Sequence, residues 1–140
     1  MKSKGFSLIE VMVVILIIGL LMAIIAPNVI GSGEQAKLQK AAIDIQSLEN
    51  ALNRYKLQNN NYPTTEQGLE ALVTASNIEP VPRKFPEGGF ITRLPQDPWG
   101  SEYQLLNPGE LGTIDIFSNG PDQTAGTDDD IGNWNMEDFL

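Results

Sequence analysis

The hydrophobic positions of the first 60 residues follow two patterns, and each pattern predicts a different kind of helix. Residues 6–26 form a run of 21 positions in which Glu10 is the only charged side chain. As a helix, this run spans ~32 Å, about one bilayer hydrocarbon core. Beyond Gln35, apolar positions recur at helical spacing, which predicts an amphipathic helix covering a small core. These positions are Ala41, Ile45, Leu48, Leu52 and Tyr55.

Prolines and turn-forming residues predict where the helices bend or end. Pro27 removes one helical hydrogen bond and crowds the preceding turn, so we expect a bend or a local opening there. The run "NNNYP" at 59–63 predicts the end of the long helix. Thr64 and Gln67 then fit a capping box, which predicts a short second helix to about Ala75.

The remainder of the chain predicts irregular structure followed by a small sheet. Residues 76–100 carry five prolines and are expected to be loop, with Leu94, Pro95, Pro98 and Trp99 as contributors to the core. Strands are expected at 101–106 and 113–118 around the turn "NPGELG". The second of them carries apolar residues on both faces, which predicts a central strand. A last short strand is expected near 133–135, and the fold class is therefore α+β.

The overall composition excludes several classes of function. The chain has 140 residues, which suits one small domain with an appendage, and its net charge of −9 argues against nucleic acid as a partner. Cysteine is absent, which excludes disulfides and thiolate chemistry, and histidine is absent as well. Catalysis would depend on carboxylates, lysines or hydroxyls without an imidazole, so we do not expect an enzyme.

The apolar run allows more than one interpretation. Lys2 and Lys4 precede it, so the positive-inside rule predicts a cytoplasmic N-terminus with everything after Pro27 across the membrane. A secretory signal peptide is one alternative, but its apolar core is shorter and free of acid, and Ile24 is not small enough for cleavage after Ala26. An ordinary single-pass anchor is another, with Glu10 reaching the cytoplasmic headgroups.

The segment "KGFSLIE" resembles the cleavage motif of type IV pilins and type II secretion pseudopilins. The resemblance implies that a prepilin peptidase cuts after Gly5 and that Phe6 becomes N-methylated, with Glu10 as the family's hallmark acid. It divides the chain into a leader at 1–5, a transmembrane and polymerisation helix at 6–27, and a periplasmic globular domain at 28–140.

Elementary electrostatics supplies a role for Glu10 in such a family. Cleavage leaves an ammonium group on Phe6, which a packed neighbour could meet with its Glu10 carboxylate. Either charge alone in lipid costs at least ~2.5–3.5 kcal/mol, so their pairing favours one docked register over others. A carboxylate near a helix N-terminus is also favoured by the backbone dipole. We therefore predict that Phe6, Glu10 and Pro27 govern assembly.

The stretch 118–134, "SNGPDQTAGTDDDIGNW", is the one constellation with evident chemistry. Asp122 and residues 128–130 place four aspartates within nine positions, among glycines that free the backbone to turn. Calcium takes six to eight hard oxygen ligands and tolerates irregular geometry, so this loop is a candidate calcium site. The alternative is a solvated acidic turn, and the EF-hand pattern is not met.

Three longer segments, "YPTTEQGLEAL", "LPQDPWGSEYQLLNPG" and "DIFSNGPD…TDDDIGNW", are together similar to the major pseudopilins of type II secretion systems. The resemblance implies a pilin-like fold, with a long N-terminal helix whose lower half spans the membrane and a small antiparallel sheet. It also implies a calcium ion in the C-terminal loop. The implied ligands are the side chains of Asp122, Asp129 and Asp130 and the main-chain carbonyls near Asn119 and Thr124, with Asp128 as a further candidate.

The same resemblance implies a mechanical function. The subunit would polymerise with copies of itself and with minor pseudopilins into a periplasmic pseudopilus, which pushes folded proteins through an outer-membrane secretin. Inner-membrane platform proteins and a cytoplasmic ATPase would drive subunit addition. Two alternatives stay open on sequence: a type IV pilus subunit serving adhesion or motility, and a membrane-tethered periplasmic calcium-binding domain that never polymerises.

Overall fold

The structure, a computed structural model, describes the backbone of residues 3–140 and their side chains except those of residues 25–30 and 32. It divides into two compact units, residues 1–36 and 37–140. A single helix, α1, runs over Leu8–Asn59 and contributes to both units. The predicted bend at Pro27 lies among the residues whose side chains are outside the described part of the chain. The end of the predicted membrane helix lies there as well.

Across the described residues, no helix is both long and apolar enough to cross a membrane.

The second half of α1 provides one wall of the core, as its sequence pattern predicts. All five stripe residues, from Ala41 to Tyr55, are fully buried or nearly so. They pack with Leu69, Leu72 and Phe90 and with apolar residues of the sheet. The burial of these side chains against the rest of the chain is the main force that stabilises this unit.

The helix ends where the Asn-rich run predicts. Asn60 adopts a left-handed conformation (φ 67°), which is a common way to stop a helix, and its N–H donates to the carbonyl of Lys56. The buried side chain of Asn59 exchanges hydrogen bonds with the backbone of Lys84, at 3.0 and 2.8 Å. That exchange ties the end of α1 to the irregular segment.

The second predicted helix is wrong in extent, although its capping box forms. The N–H of Gln67 donates to Thr64 Oγ1 (3.1 Å), and the N–H of Thr64 donates to Gln67 Oε1 (2.9 Å). The segment nevertheless contains only a 3-10 helix, Leu69–Leu72. Gly68 explains the difference, because its φ of 64° lies outside the helical region and separates the cap from the helix.

The sheet has three short antiparallel strands in the order β1 (Gln104–Leu106), β2 (Asp115–Ser118) and β3 (Ile131–Gly132). Leu105 lies opposite Ile116, and Phe117 lies opposite Gly132. The predicted central position of β2 is confirmed, since all four of its residues are buried. With α1 and this sheet, the predicted α+β class is confirmed.

The predicted strands were too long, and the last one was misplaced. β1 begins three residues later than predicted because Ser101 donates its N–H to the Asp97 side chain instead of a strand neighbour. β3 ends at Gly132 because, although the N–H of Asn133 still donates to the carbonyl of Ile116 (3.0 Å), the side chain of Asn133 replaces its main-chain carbonyl as the acceptor. Its amide donates to the carbonyl of Ile114 (3.0 Å) and accepts from the N–H of Ile116 (3.2 Å).

The segment at 76–100 is irregular, as predicted, apart from one isolated bridge between Gln96 and Glu102. Its four predicted core contributors are all partly buried, and Leu94 and Trp99 pack against the main core. A second 3-10 helix, Met136–Phe139, closes the chain.

Candidate functional site

The N-terminal segment presents its predicted processing residues in accessible, non-helical chain. Residues 3–7 precede α1 and are exposed, and among the described residues no atom beyond the chain neighbours of Gly5 lies within 4 Å of the position that a Cβ would take there. Phe6, which the resemblance makes the first residue after cleavage, is 81% exposed. A protease could therefore reach the bond between Gly5 and Phe6 without unfolding a helix.

Ser7 starts the helix in a way that the sequence analysis missed. Its hydroxyl oxygen accepts the N–H of Glu10 (3.2 Å), which is the N-cap contact of α1. The signal was present, because Ser7 and Glu10 fit the S-x-x-E capping-box pattern. The cap places the exposed Glu10 carboxylate in the first helical turn, where the partial positive charge of the helix N-terminus favours an anion.

The first part of α1 exposes large apolar side chains on every face. From Phe6 to Ile24, each Leu, Ile, Val, Met and Phe is at least 45% exposed. Isolated surface leucines are ordinary in soluble proteins, but contiguous apolar surface of this kind marks a site of contact with another molecule or with lipid.

The acidic loop connects β2 to β3 and brings three of the predicted ligands together. One carboxylate oxygen from each of Asp122, Asp129 and Asp130 lies within 4.8 Å of the other two. Among the described residues, no Lys or Arg forms an ion pair with any of the three. The group therefore concentrates negative charge that a cation would offset.

Hydrogen bonds inside the loop fix these carboxylates. Asp122 Oδ1 accepts the N–H of Thr124 (2.8 Å), and Asp129 Oδ2 accepts the N–H of Asp122 (3.1 Å). Asp130 Oδ2 accepts the N–H of Gly126 (2.7 Å). The Thr127 hydroxyl lies within 2.5 Å of Asp129 and 3.1 Å of Asp130, so it contacts both carboxylates.

These contacts also affect the charge of the cluster. The Thr127 hydroxyl is the main cause that lowers the pKa of Asp129 from its ordinary value; burial opposes this effect, and the N–H of Asp122 lowers the pKa by a smaller amount. Hydrogen bonds to the charged form stabilise it, so Asp129 stays a carboxylate, which is the form that binds a metal ion.

At the start of the acidic loop, the backbone of Gly120 passes close to the backbone of Asp129. Gly120 has a φ of 68°, and a Cβ added to it would collide with the main-chain oxygen of Asp129. The neighbouring Asn119 buries a side-chain oxygen, Oδ1, that has no hydrogen-bond partner among the described residues. The three convergent carboxylates are the oxygen donors that hard cations require.

The remaining predicted calcium ligands are Asp128 and the main-chain carbonyls of Asn119 and Thr124. Asp128 is exposed and does not belong to the cluster. The carbonyl oxygen of Thr124 lies 3.0 Å from the hydroxyl oxygen of Thr127. The main-chain roles predicted for Asn119 and Thr124 stay predictions, as do the processing and assembly roles of Gly5 and Phe6.

Two buried carboxylates were missed by the sequence analysis. Asp115, on β2, accepts the N–H groups of residues 110–112 and so holds the turn between β1 and β2. Asp97 accepts the N–H groups of Trp99 and Ser101 and the hydroxyl of Ser118. For Asp97 the available signal was the ability of Asp to hydrogen-bond the backbone two residues onward in a turn; the partners of Asp115 precede it in the chain, and this signal does not cover them.

Comparisons with known families give two matches. Residues 28–134 match the family described as "Type II secretion system (T2SS), protein G". Residues 1–26 match the "Prokaryotic N-terminal methylation motif". The first family consists of structural secretion-system subunits and is not a known enzyme family.

Relatives and a solved structure agree with these matches. The chain is 60% identical over 138 residues to a type II secretion system core protein G of Aeromonas hydrophila, covering 99% of this chain and 96% of that protein. It is 56% identical over 141 residues to the Vibrio cholerae protein of the same name, with 99% and 96% covered.

The crystal structure of the major pseudopilin from the type 2 secretion system of enterohaemorrhagic Escherichia coli is similar in fold. Its TM-score is 0.72 at 55% identity, with 76% of this chain and 89% of that chain covered. The predicted pilin-like fold is thereby confirmed. The matches do not favour a type IV pilus subunit or a non-polymerising calcium-binding domain.

Proposed function

Because the chain belongs to the family of type II secretion system protein G, we propose that it is the major subunit of a type II secretion pseudopilus. It polymerises with copies of itself in the periplasm, and the growing rod drives the export of folded proteins through an outer-membrane secretin. The function is mechanical, and the chain itself catalyses nothing.

The exposed apolar surface of residues 6–24 is the observation that carries this proposal. Water-exposed surface of this extent is unfavourable, so the segment needs another partner. Before assembly we assign that partner to the lipid of the inner membrane, with the globular part in the periplasm. After assembly we assign it to the same segments of neighbouring subunits.

Processing prepares the segment for assembly. A prepilin peptidase cuts after the accessible Gly5, and the new amino group of Phe6 is then methylated; the match to an N-terminal methylation motif supports both steps. The amine of one subunit pairs with the Glu10 carboxylate of a neighbour. Since Ser7 caps α1, this carboxylate sits in the first turn, four residues from Phe6.

Further partners follow from the same function. Minor pseudopilins begin the rod, inner-membrane platform proteins supply the site of subunit addition, and a cytoplasmic ATPase provides the energy. Pro27 allows α1 to bend or open when it packs into the polymer, because a proline lacks the N–H that a regular helix needs.

We assign calcium to the acidic loop. The carboxylates of Asp122, Asp129 and Asp130 hold the ion, joined by main-chain carbonyls of Asn119 and Thr124. The convergence of the three carboxylates within 4.8 Å and the absence of cationic partners among the described residues support the assignment. Calcium offsets two of the three negative charges of the cluster, and an ion that binds only the folded state stabilises that state by mass action.

Intact mass of the protein purified from membranes tests the assembly route. We expect loss of residues 1–5 together with the gain of one methyl group on Phe6, in a protein that forms filaments visible by electron microscopy. A chain that keeps its leader and forms no filaments would contradict the proposal and favour a simple membrane anchor.

A further inference from the structure

Asp97 is a buried carboxylate in the irregular segment, far from the acidic loop in sequence. It is 4% exposed, and within the described residues no Lys or Arg forms an ion pair with it. Its Oδ1 accepts the N–H groups of Trp99 (3.1 Å) and Ser101 (2.7 Å), which closes a tight turn. Its Oδ2 remains for a contact outside that turn. Burying a carboxylate is costly, so these contacts have to be satisfied.

The outside contact is the hydroxyl of Ser118, the last residue of β2. Ser118 is fully buried and donates to Asp97 Oδ2 at 2.6 Å. Because that donation uses its one proton, the hydroxyl oxygen faces other groups as an acceptor only. It accepts the N–H of Gly120 at 3.1 Å. Asp97 thereby determines the direction in which the Ser118 hydroxyl points.

Gly120 connects the Ser118 hydroxyl to the acidic cluster. It lies so close to the Asp129 backbone that no side chain fits there. A second contact joins the same two regions, because the Gln123 side chain donates to the carbonyl of Trp99 at 2.9 Å. The Asp97 turn therefore holds the acidic loop at its start and again beside Asp122.

We propose that Asp97 and Ser118 are positioning residues for the cation site of the acidic loop. They fix the entry of the loop so that Asp122 and Asp129 converge before an ion binds. The inference depends on the calcium assignment made above. It extends that site to two residues that act on the ligands through the backbone at Gly120 and through the contact between Gln123 and Trp99.

The substitution Asp97→Asn tests the direction of the hydrogen bond at nearly constant shape. If the amide oxygen keeps the two turn N–H groups, the amide nitrogen must face the Ser118 hydroxyl. Two donors then meet, and the hydroxyl proton loses its buried acceptor. Ser118→Ala removes the same link from the other side without changing any charge.

The experiment is calorimetric titration of the full chain in detergent with calcium chloride. We expect Asp97→Asn and Ser118→Ala each to raise the Kd for calcium about tenfold, the lower end of the effect of residues that support metal ligands. Asp115→Asn is the matched control. It removes one buried carboxylate charge whose three hydrogen bonds all go to residues 110–112, and we expect its Kd to stay within about twofold of wild type.

Hydrogen exchange of the unaltered chain adds a measurement that needs no variant. Coupling is reciprocal, so calcium should slow exchange at the amides of Trp99 and Ser101 about tenfold. A wild-type chain that binds no calcium would contradict the calcium assignment and this inference with it. Normal calcium binding, with Kd values for Asp97→Asn and Ser118→Ala no higher than that of Asp115→Asn, would overturn the positioning role alone. Exchange at Trp99 and Ser101 that calcium leaves unchanged would overturn it as well.

Discussion

Leu16 and Leu48 lie on the same helix in opposite surroundings. Leu16 belongs to a segment that is apolar on every face and is 63% exposed, whereas Leu48 belongs to a one-sided stripe and is 1% exposed. The stripe has its partners within the chain, in the sheet and the segments around it. The apolar segment has no comparable cover among the described residues. The comparison shows that the width of an apolar face distinguishes a folding surface from an assembly surface.

The largest effect is expected from substitution of Glu10, the only charged side chain of the apolar segment. Glu10→Ala leaves the Phe6 ammonium of a neighbour without a counterion, which weakens each subunit contact by about 2.5–3.5 kcal/mol, or roughly 100-fold. We expect filaments to disappear in electron micrographs and secretion to stop. Glu137→Ala, which removes an exposed acid elsewhere, is the control. Intact mass must show normal cleavage, and a correctly processed Glu10→Ala chain that still forms filaments would refute the pairing.

The two leucines provide the direct test of the comparison. Leu48→Ala should lower the free energy of unfolding of the globular unit by about 2–5 kcal/mol, since it opens a cavity in a packed core. Leu16→Ala should leave that free energy within about 0.5 kcal/mol. Denaturant unfolding of both variants in detergent, followed by tryptophan fluorescence, measures the difference. Equal destabilisation by the two substitutions would mean that the apolar segment contributes to folding.

A somewhat smaller effect is expected from the acidic loop. At calcium concentrations about 100 times Kd, binding should stabilise the folded state by about 2.7 kcal/mol, and Asp122→Ala should abolish that gain. Asp128→Ala is the matched variant, since Asp128 lies in the same loop but outside the cluster. Thermal melting with calcium and with chelator gives the result. If chelator leaves the wild-type melting temperature unchanged, the loop is a solvated turn.

The smallest effect concerns the polar contact between α1 and β1. The Tyr103 hydroxyl, next to β1, donates to Asp44 on α1 at 2.8 Å. Burial, followed by the hydrogen bond to Asp44 and the charges of Asp44 and Asp97, raises the pKa of Tyr103 well above its usual range. The unfolded chain therefore loses this proton first, at about pH 10, and stability falls as the pH rises beyond that value.

Tyr103→Phe should cost about 1 kcal/mol at pH 7 and should flatten this alkaline decline. Denaturant unfolding between about pH 7 and 11 measures both effects. Burial also raises the pKa of Tyr55, so part of the decline should remain in the variant. An alkaline decline identical to that of wild type would show that the Tyr103 proton has no such role.

Periodic features of the sequence predicted the fold well. The stripe from Ala41 to Tyr55 and the end of α1 at Asn59 needed only helical spacing and turn residues. Two local features explain most of the errors. The side-chain amide of Asn133 makes hydrogen bonds where a longer strand was predicted, and Gly68, with its positive φ, separates the capping box from the helix that should follow it. Neither feature produces a periodic pattern in the sequence from which it could be predicted.

The candidate site shows the same limit. The three clustered aspartates were predictable because they lie in one short loop and in a family motif. Asp97 and Ser118 are 21 positions apart, in a loop and a strand, and no spacing rule relates them. Only the packing of the two segments brings the carboxylate and the hydroxyl together, so the sequence pattern included Ser118 in the acidic stretch without a role and left Asp97 outside it.

The outer strands of the sheet, β1 and β3, are only three and two residues long. Such short edges offer few free backbone groups to another chain, which protects against edge-to-edge aggregation. A protein that accumulates as many identical copies in a confined space is especially exposed to that hazard. Short edge strands of this kind favour ordered fibres over amyloid-like deposits.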